Sequence, residues 1–164
     1  MTAIDLRRLM PQDHNDSSTA KEFVSLPPEV ITPVAPEMLR QLKDQSSSVA
    51  LIYAQFFAEN GEAFAEQVAE VLGTSQLKYQ HYMIVGWVLP HWSRESVLKC
   101  VDQLTLLVTT NSGALDTDLR AIEILARHDL YEREWLRGWL EFKKESFARL
   151  NSLLHRIELD HFSG

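Results

Sequence analysis

From Leu136 onward the apolar positions fall into one repeating stripe. Leu136, Leu140, Phe147, Leu150, Leu154 and Ile157 follow one another at steps of three, four or seven residues, and Lys143 fills the one position where the stripe is interrupted. At 3.6 residues per turn this spacing puts the side chains on one side of a helix. Trp135, Trp139 and Phe142 widen the stripe at its N-terminal end. The spacing predicts a long amphipathic helix over the last third of the chain, an element that bears on architecture and partners rather than on chemistry.

Shorter helices precede it. Pro36 suits a first helical position, and Met38/Leu39, Leu42, Val49, Ile52/Tyr53 and Phe56 keep helical spacing, with a kink or break at Ser46–Ser48. Asn60-Gly61 marks a turn. A helix is predicted over 62–72 with Phe64, Val68, Val71 and Leu72 inward, stopping at Gly73. Thr74 or Ser75 can cap another over 75–88, ended by Pro90. Ser93 can cap the next, in which Val97, Val101, Leu104 and Val108 share a stripe. After a break at Asn111–Gly113, Asp116 can cap a helix carrying Leu119, Ile122 and Leu125/Ala126. The pattern leaves open whether that helix stops near His128-Asp129 or runs into the last one. No strand-like alternation competes. The reading is an all-α, single-domain bundle of six or seven helices over residues 36–164.

Residues 1–35 differ. Pro11–Thr19 is polar and turn-rich, and Phe23–Pro36 combines four prolines with Phe23, Val24, Leu26, Val30, Ile31 and Val34. Fixed φ and missing amide donors oppose helix there. The expectation is a flexible or extended segment that either straps the bundle or serves as a ligand for another protein.

Composition narrows the function classes. The chain has 164 residues, 45% of them hydrophobic, enough for one domain with its own core. No run of about 18 apolar residues predicts a membrane span, and the first ten residues lack the apolar stretch of a secretory signal. Cys100 is the single cysteine. It has no intrachain disulfide partner, which points to a reducing, cytoplasmic setting. The formal net charge is −7, from 23 acids and 16 bases. That balance repels phosphate backbones and makes nucleic acid a poor default partner.

Two sets of residues are candidate partner-binding surfaces. Glu59, Glu62, Glu66 and Glu70 recur every three or four residues, and no lysine or arginine lies between Lys43 and Lys78. On a helix they form an acidic face, either an ordinary solvated one or a dock for a partner with a basic surface. Trp135 and Trp139 stand one turn apart beside Gly138, whose missing side chain permits close approach of another helix. They fit internal packing or a homodimer seam on the C-terminal helix.

Chemistry-bearing motifs are thin. Glu158-Leu-Asp-His161 has E-x-x-H spacing, but di-metal bundles need two such motifs and two further carboxylates. No G-x-S-x-G, phosphate-binding glycine loop or C-x-x-C occurs. Cys100 among Val97, Val101 and Leu104 reads as a packed thiol. The segment Ala65–Tyr79 loosely resembles a helix-turn-helix through Ala69 and Gly73, with Lys78 as the sole cation on its second helix. No catalytic residue, metal or cofactor is assigned. The leading reading is a non-enzymatic cytosolic protein-interaction module, an adaptor, chaperone-like or inhibitory protein able to form a homodimer. The alternatives are a helical enzyme with a metal or cofactor pocket drawn from residues such as Glu123, His128 and Glu132, and a DNA-binding regulator.

Overall fold

A computed structural model describes residues 3–110 and 115–162, with side chains over 5–110 and 115–158. Every regular element among the described residues is helical, so the fold is all-α. The chain forms two compact units, Met1–Leu130 and Tyr131–Gly164.

The first unit begins with α1 (Ala3–Leu9), α2 (Ser17–Phe23), α3 (Pro28–Ile31), a 3-10 turn (Thr32–Val34) and α4 (Ala35–Gln41). The extended segment expected over residues 1–35 is thus helical for much of its length, and Phe23, Ile31, Val34 and Ala35 are buried. The prolines mislead because of where they fall. Pro28, Pro33 and Pro36 each occupy the first or second position of their helix. There the backbone amide has no acceptor within the helix, so its loss costs nothing. Asp16 caps α2, its carboxylate accepting from the Thr19 amide at 3.1 Å. The His14 carbonyl accepts from the Ser47 hydroxyl at 2.7 Å and from the Val49 amide at 3.2 Å. These two bonds fasten the N-terminal loop to the start of α5 (Ser48–Glu59).

The serine run makes a full break rather than a kink. Ser47 Oγ accepts from the Ala50 amide at 3.1 Å and so starts α5 afresh. Asn60 ends α5, its backbone and side-chain amides donating to the Phe56 carbonyl at 3.1 and 2.8 Å. It is followed directly by α6 (Gly61–Thr74). Across this turn Phe56, Phe57 and Phe64 form a triangle of rings with centroids 5.2 to 5.5 Å apart. The buried Trp92 indole donates to the Phe57 carbonyl at 2.8 Å, satisfying one of the carbonyls that the last turn of a helix leaves open.

Next comes α7 (Lys78–Met83), which runs into a π-helical turn (Ile84–Val88) and a 3-10 turn (Leu89–His91). Gln80 is buried and donates to the Leu39 carbonyl at 2.7 Å, tying α7 to α4. The single helix expected from Ser93 to Val108 is two, α8 (Arg94–Leu98) and α9 (Val101–Thr109). Ser93 does cap α8, accepting from the Ser96 amide at 3.3 Å. The last turn then tightens as Lys99 and Cys100 donate to carbonyls three residues back, at 3.3 and 2.8 Å, and the chain turns. The expected break at Asn111–Gly113 lies outside the described residues. Asp116 takes the N-cap position of α10 (Thr117–Arg127) with φ 46° but makes no side-chain cap; it reaches Arg120 at 3.6 Å instead. α10 packs against α9.

The question at His128-Asp129 is settled by a Schellman motif. Asp129 has φ 52°, its amide donates to the Ala126 carbonyl at 3.2 Å, and the Leu130 amide donates to the Leu125 carbonyl at 3.0 Å. α10 therefore stops, and the second unit holds one helix, α11 (Arg133–Phe162), of 30 residues. No helix among the described residues is long and apolar enough to cross a membrane.

Candidate functional site

A groove runs along α5 in the first unit. Leu51, Gln55, Ala58 and Glu59 are spaced to share one side of that helix, and Trp87 and His91, one turn apart, supply the opposite wall. The groove encloses about 450 Å³. The π-helical turn sets the Trp87 wall. Ile84, Val85 and Val88 are buried beneath it, while Trp87 stays 50% exposed. Pro90 has no amide to return to the preceding turn, which favours a wider turn just before it. At one rim Gln55 Nε2 donates to Glu59 Oε1 at 2.9 Å and fixes the carboxylate. The groove thus has apolar walls, Leu51 and Ala58 on one side and the Trp87 face on the other, with a carboxylate on its edge and no lysine or arginine among the described residues that line it.

The four acidic residues singled out in the sequence do not share one surface role. Asn60 divides them, with Glu59 closing α5 and Glu62, Glu66 and Glu70 on α6. Glu66 pairs with Lys99 at 3.3 Å, a base from outside the segment that looked uncompensated. Glu70 lines a second hollow, of about 410 Å³, together with Arg40. Glu62 is exposed. Only Glu59 meets an aromatic groove.

Trp135 and Trp139 lie in the second unit, within a ladder along α11. Ring centroids are 4.5 Å apart for Tyr131–Trp135, 6.0 Å for Trp135–Trp139 and 5.6 Å for Trp139–Phe142. The Lys143 ammonium lies 5.8 Å from the Trp139 ring centre. A Cβ built on Gly138 meets nothing within 4 Å, so no close helix approach occurs there among the described residues. Farther along, Leu140, Phe147, Leu150, Leu153, Leu154 and Ile157 are all exposed, Leu154 by 65%.

The sequence pattern singles out none of Leu51, Ala58 and Trp87. The inward face of α5 was legible, but the opposite wall depends on the π-helical turn, which shifts Trp87 relative to an ordinary helix. Gly86-Trp87 just ahead of Pro90 was the available signal.

Elsewhere the chemistry is subdued. No group of three or more His, Cys, Asp or Glu among the described residues is placed to hold a metal. Glu123 is engaged by Arg127 at 3.0 Å and Arg120 at 3.4 Å. Burial pushes the Cys100 thiol up to about 12, which leaves it protonated and unreactive. Lys78, the cation of the helix-turn-helix-like segment, lines a small recess with His81, Leu107 and Thr117.

His81 gives the fold a pH dependence. Burial lowers its pKa, with a hydrogen bond to the Ser75 backbone acting in the opposite sense, and burial likewise lowers that of His128. Each folded-state pKa lies below the unfolded one, so the unfolded chain binds more protons once the pH drops below about 6.5. The contribution of these residues to stability is present above that pH and is lost as the pH falls through the window beneath it. Urea midpoints should therefore fall from pH 7.5 to 5.5, and His81→Gln should flatten the slope; an unchanged slope in that variant would remove His81 from the account.

No curated protein and no solved structure matches this chain. Residues 9–130 match the family described as Domain of unknown function (DUF5071). The match ends where the first compact unit ends, at Leu130. Since it spans more than half of the chain and takes in the whole Trp87 groove, the protein belongs to the DUF5071 family.

Proposed function

We propose that this protein is a non-enzymatic protein-interaction module that takes up a basic, apolar-flanked segment of another protein in the Trp87 groove. The observation that carries this reading is the pairing of a half-exposed tryptophan with a rim carboxylate that no cation among the described residues neutralises. An indole face attracts an ammonium or guanidinium through its quadrupole, and a carboxylate beside it adds charge complementarity. Leu51 and Ala58 then cover the aliphatic stem of such a side chain.

A short amidated peptide of alternating leucine and arginine, titrated against the full chain, tests this. Binding should shift the Trp87 indole proton resonance. Trp87→Ala and Glu59→Gln should each weaken binding about tenfold, the ratio that 1.4 kcal/mol supplies. Both side chains are exposed, so the unfolding midpoint should hold. A peptide with glutamine in place of arginine that binds equally well, or variants that bind like the parent, would overturn the reading.

The C-terminal helix supports a second contact, with another copy of this chain. Its exposed apolar stripe is the observation that favours it. Closed dimers are the commonest way for a single chain to cover such a face. Sedimentation of the full chain over a concentration series should show a monomer–dimer equilibrium, and a monomer at every concentration would remove this contact.

A further inference from the structure

The exposed part of the α11 stripe carries more than apolarity, because its residues fall on two seven-residue repeats. Leu140, Phe147 and Leu154 repeat every seven residues, and so do Leu150 and Ile157 between them. This is the heptad seam of a coiled coil, with the first set at a positions and the second at d. Lys143 takes the earlier d position. The positions flanking the seam are Lys144, Asn151 and Glu158 on one side, and Trp139, Ser146 and Leu153 on the other.

These residues discriminate between the two ways of pairing a helix with its copy. In a parallel pair each seam residue faces itself. The flanking contacts become Trp139 with Lys144, Ser146 with Asn151 and Leu153 with Glu158, and none of them joins opposite charges. In an antiparallel pair centred near Ser152, Phe147 faces the second copy's Ile157, Leu150 faces its Leu154, and Leu153 meets its own counterpart across the two-fold axis. Lys143, only 3% exposed, is not part of this exposed seam. Lys144 then lies opposite Glu158 at both ends of the seam. Phe147, Leu150, Leu153, Leu154 and Ile157 are exposed, as are Lys144 at 61% and Glu158 at 74%. Lys144 and Glu158 are fourteen residues apart in one helix, about 21 Å along the axis, so they cannot pair within a single copy.

We propose that α11 pairs antiparallel with α11 of a second copy of this chain, Phe147 on Ile157 and Leu150 on Leu154, with Lys144 of each copy opposite Glu158 of the other. This assignment rests on the self-association reading above and adds its direction and register. The overlap covers about two heptads, short for a coiled coil, so the dimer is reversible and dilution separates it. Within each copy Lys144 bonds Glu141 at 2.7 Å and His155 stands 4.0 Å from Glu158. Single charge reversals therefore also disturb a local neighbour, and the combined reversal is the informative one.

Sedimentation equilibrium of the full chain, up to about 0.5 mM, is the measurement, with circular dichroism confirming that each exposed-site variant is folded. The parent should dimerise and Leu154→Glu should be monomeric throughout. Lys144→Glu and Glu158→Lys should each raise Kd about tenfold, and the two together should return it to within about threefold of the parent. A monomeric parent would overturn self-association and the register with it. A dimer indifferent to Leu154→Glu would place the contact away from this seam. A dimer lost in Leu154→Glu but not rescued by the double reversal would leave the seam standing and overturn the antiparallel register alone.

Discussion

Replacing Phe64 with alanine should cost about 4 kcal/mol of stability, the middle of the range for a fully buried aromatic ring. Phe64 has no exposed surface, and its ring meets those of Phe57 and Phe56 at 5.2 and 5.4 Å. The elements it joins cannot compensate. α5 has 12 residues and α6 has 14, lengths at which an isolated helix is marginal in water, so the first unit depends on tertiary packing. Against a typical total of about 5–15 kcal/mol, such a loss leaves a substantial unfolded fraction at modest urea concentration. Phe64→Leu keeps most of the volume and should cost about 1.5 kcal/mol. Urea unfolding of the two variants beside the parent checks this. A loss below about 2 kcal/mol for alanine would mean that the Phe56 and Phe57 rings collapse into the vacancy.

Helix type and the positions of several boundaries were legible in the sequence because they depend on local chemistry. Ser93 caps α8 as its hydroxyl and position imply, and Asn60-Gly61 separates two helices. The apolar spacing from Leu136 to Ile157 is that of α11, which continues to Phe162. The N-terminal segment departs from the extended expectation for a reason equally local: a proline in the first turn of a helix is harmless, and Pro28, Pro33 and Pro36 all fall there. The break between α8 and α9 was invisible because Val97, Val101, Leu104 and Val108 keep one stripe through it, and no glycine or proline marks the turn at Cys100.

The groove was the least legible feature. Its two walls come from separate stretches of the chain, Leu51–Glu59 and Trp87–His91, and one is a π-helical turn that no periodicity announces. Glu59 was singled out for its sequence neighbours Glu62, Glu66 and Glu70. The structure gives it different company, Gln55 beside it and Trp87 across the groove.

Gly61→Ala should destabilise the protein by about 3 kcal/mol, although helix propensity alone argues the reverse. Gly61 is the first residue of α6, where alanine would gain up to about 1 kcal/mol over glycine. A Cβ there, however, would stand 2.5 Å from Trp92 Cδ1, 2.6 Å from Nε1 and 2.7 Å from Cγ. No rotation of a flexible end relieves this. The indole is 4% exposed, and its N–H holds the Phe57 carbonyl at 2.8 Å. Moving the ring breaks that bond and leaves a buried carbonyl of the last α5 turn without its donor. Overpacking of about 1–3 kcal/mol and a lost buried hydrogen bond of about 1 kcal/mol together outweigh the propensity gain. A double-mutant cycle isolates the cause. In a Trp92→Ala background the obstacle is gone, so adding Gly61→Ala should be neutral or stabilising by up to about 1 kcal/mol, a non-additivity of about 3–4 kcal/mol. If the two single losses instead add to within about 0.5 kcal/mol, the penalty at Gly61 has nothing to do with Trp92, and the close packing of the indole on this turn is not what fixes the α5–α6 junction.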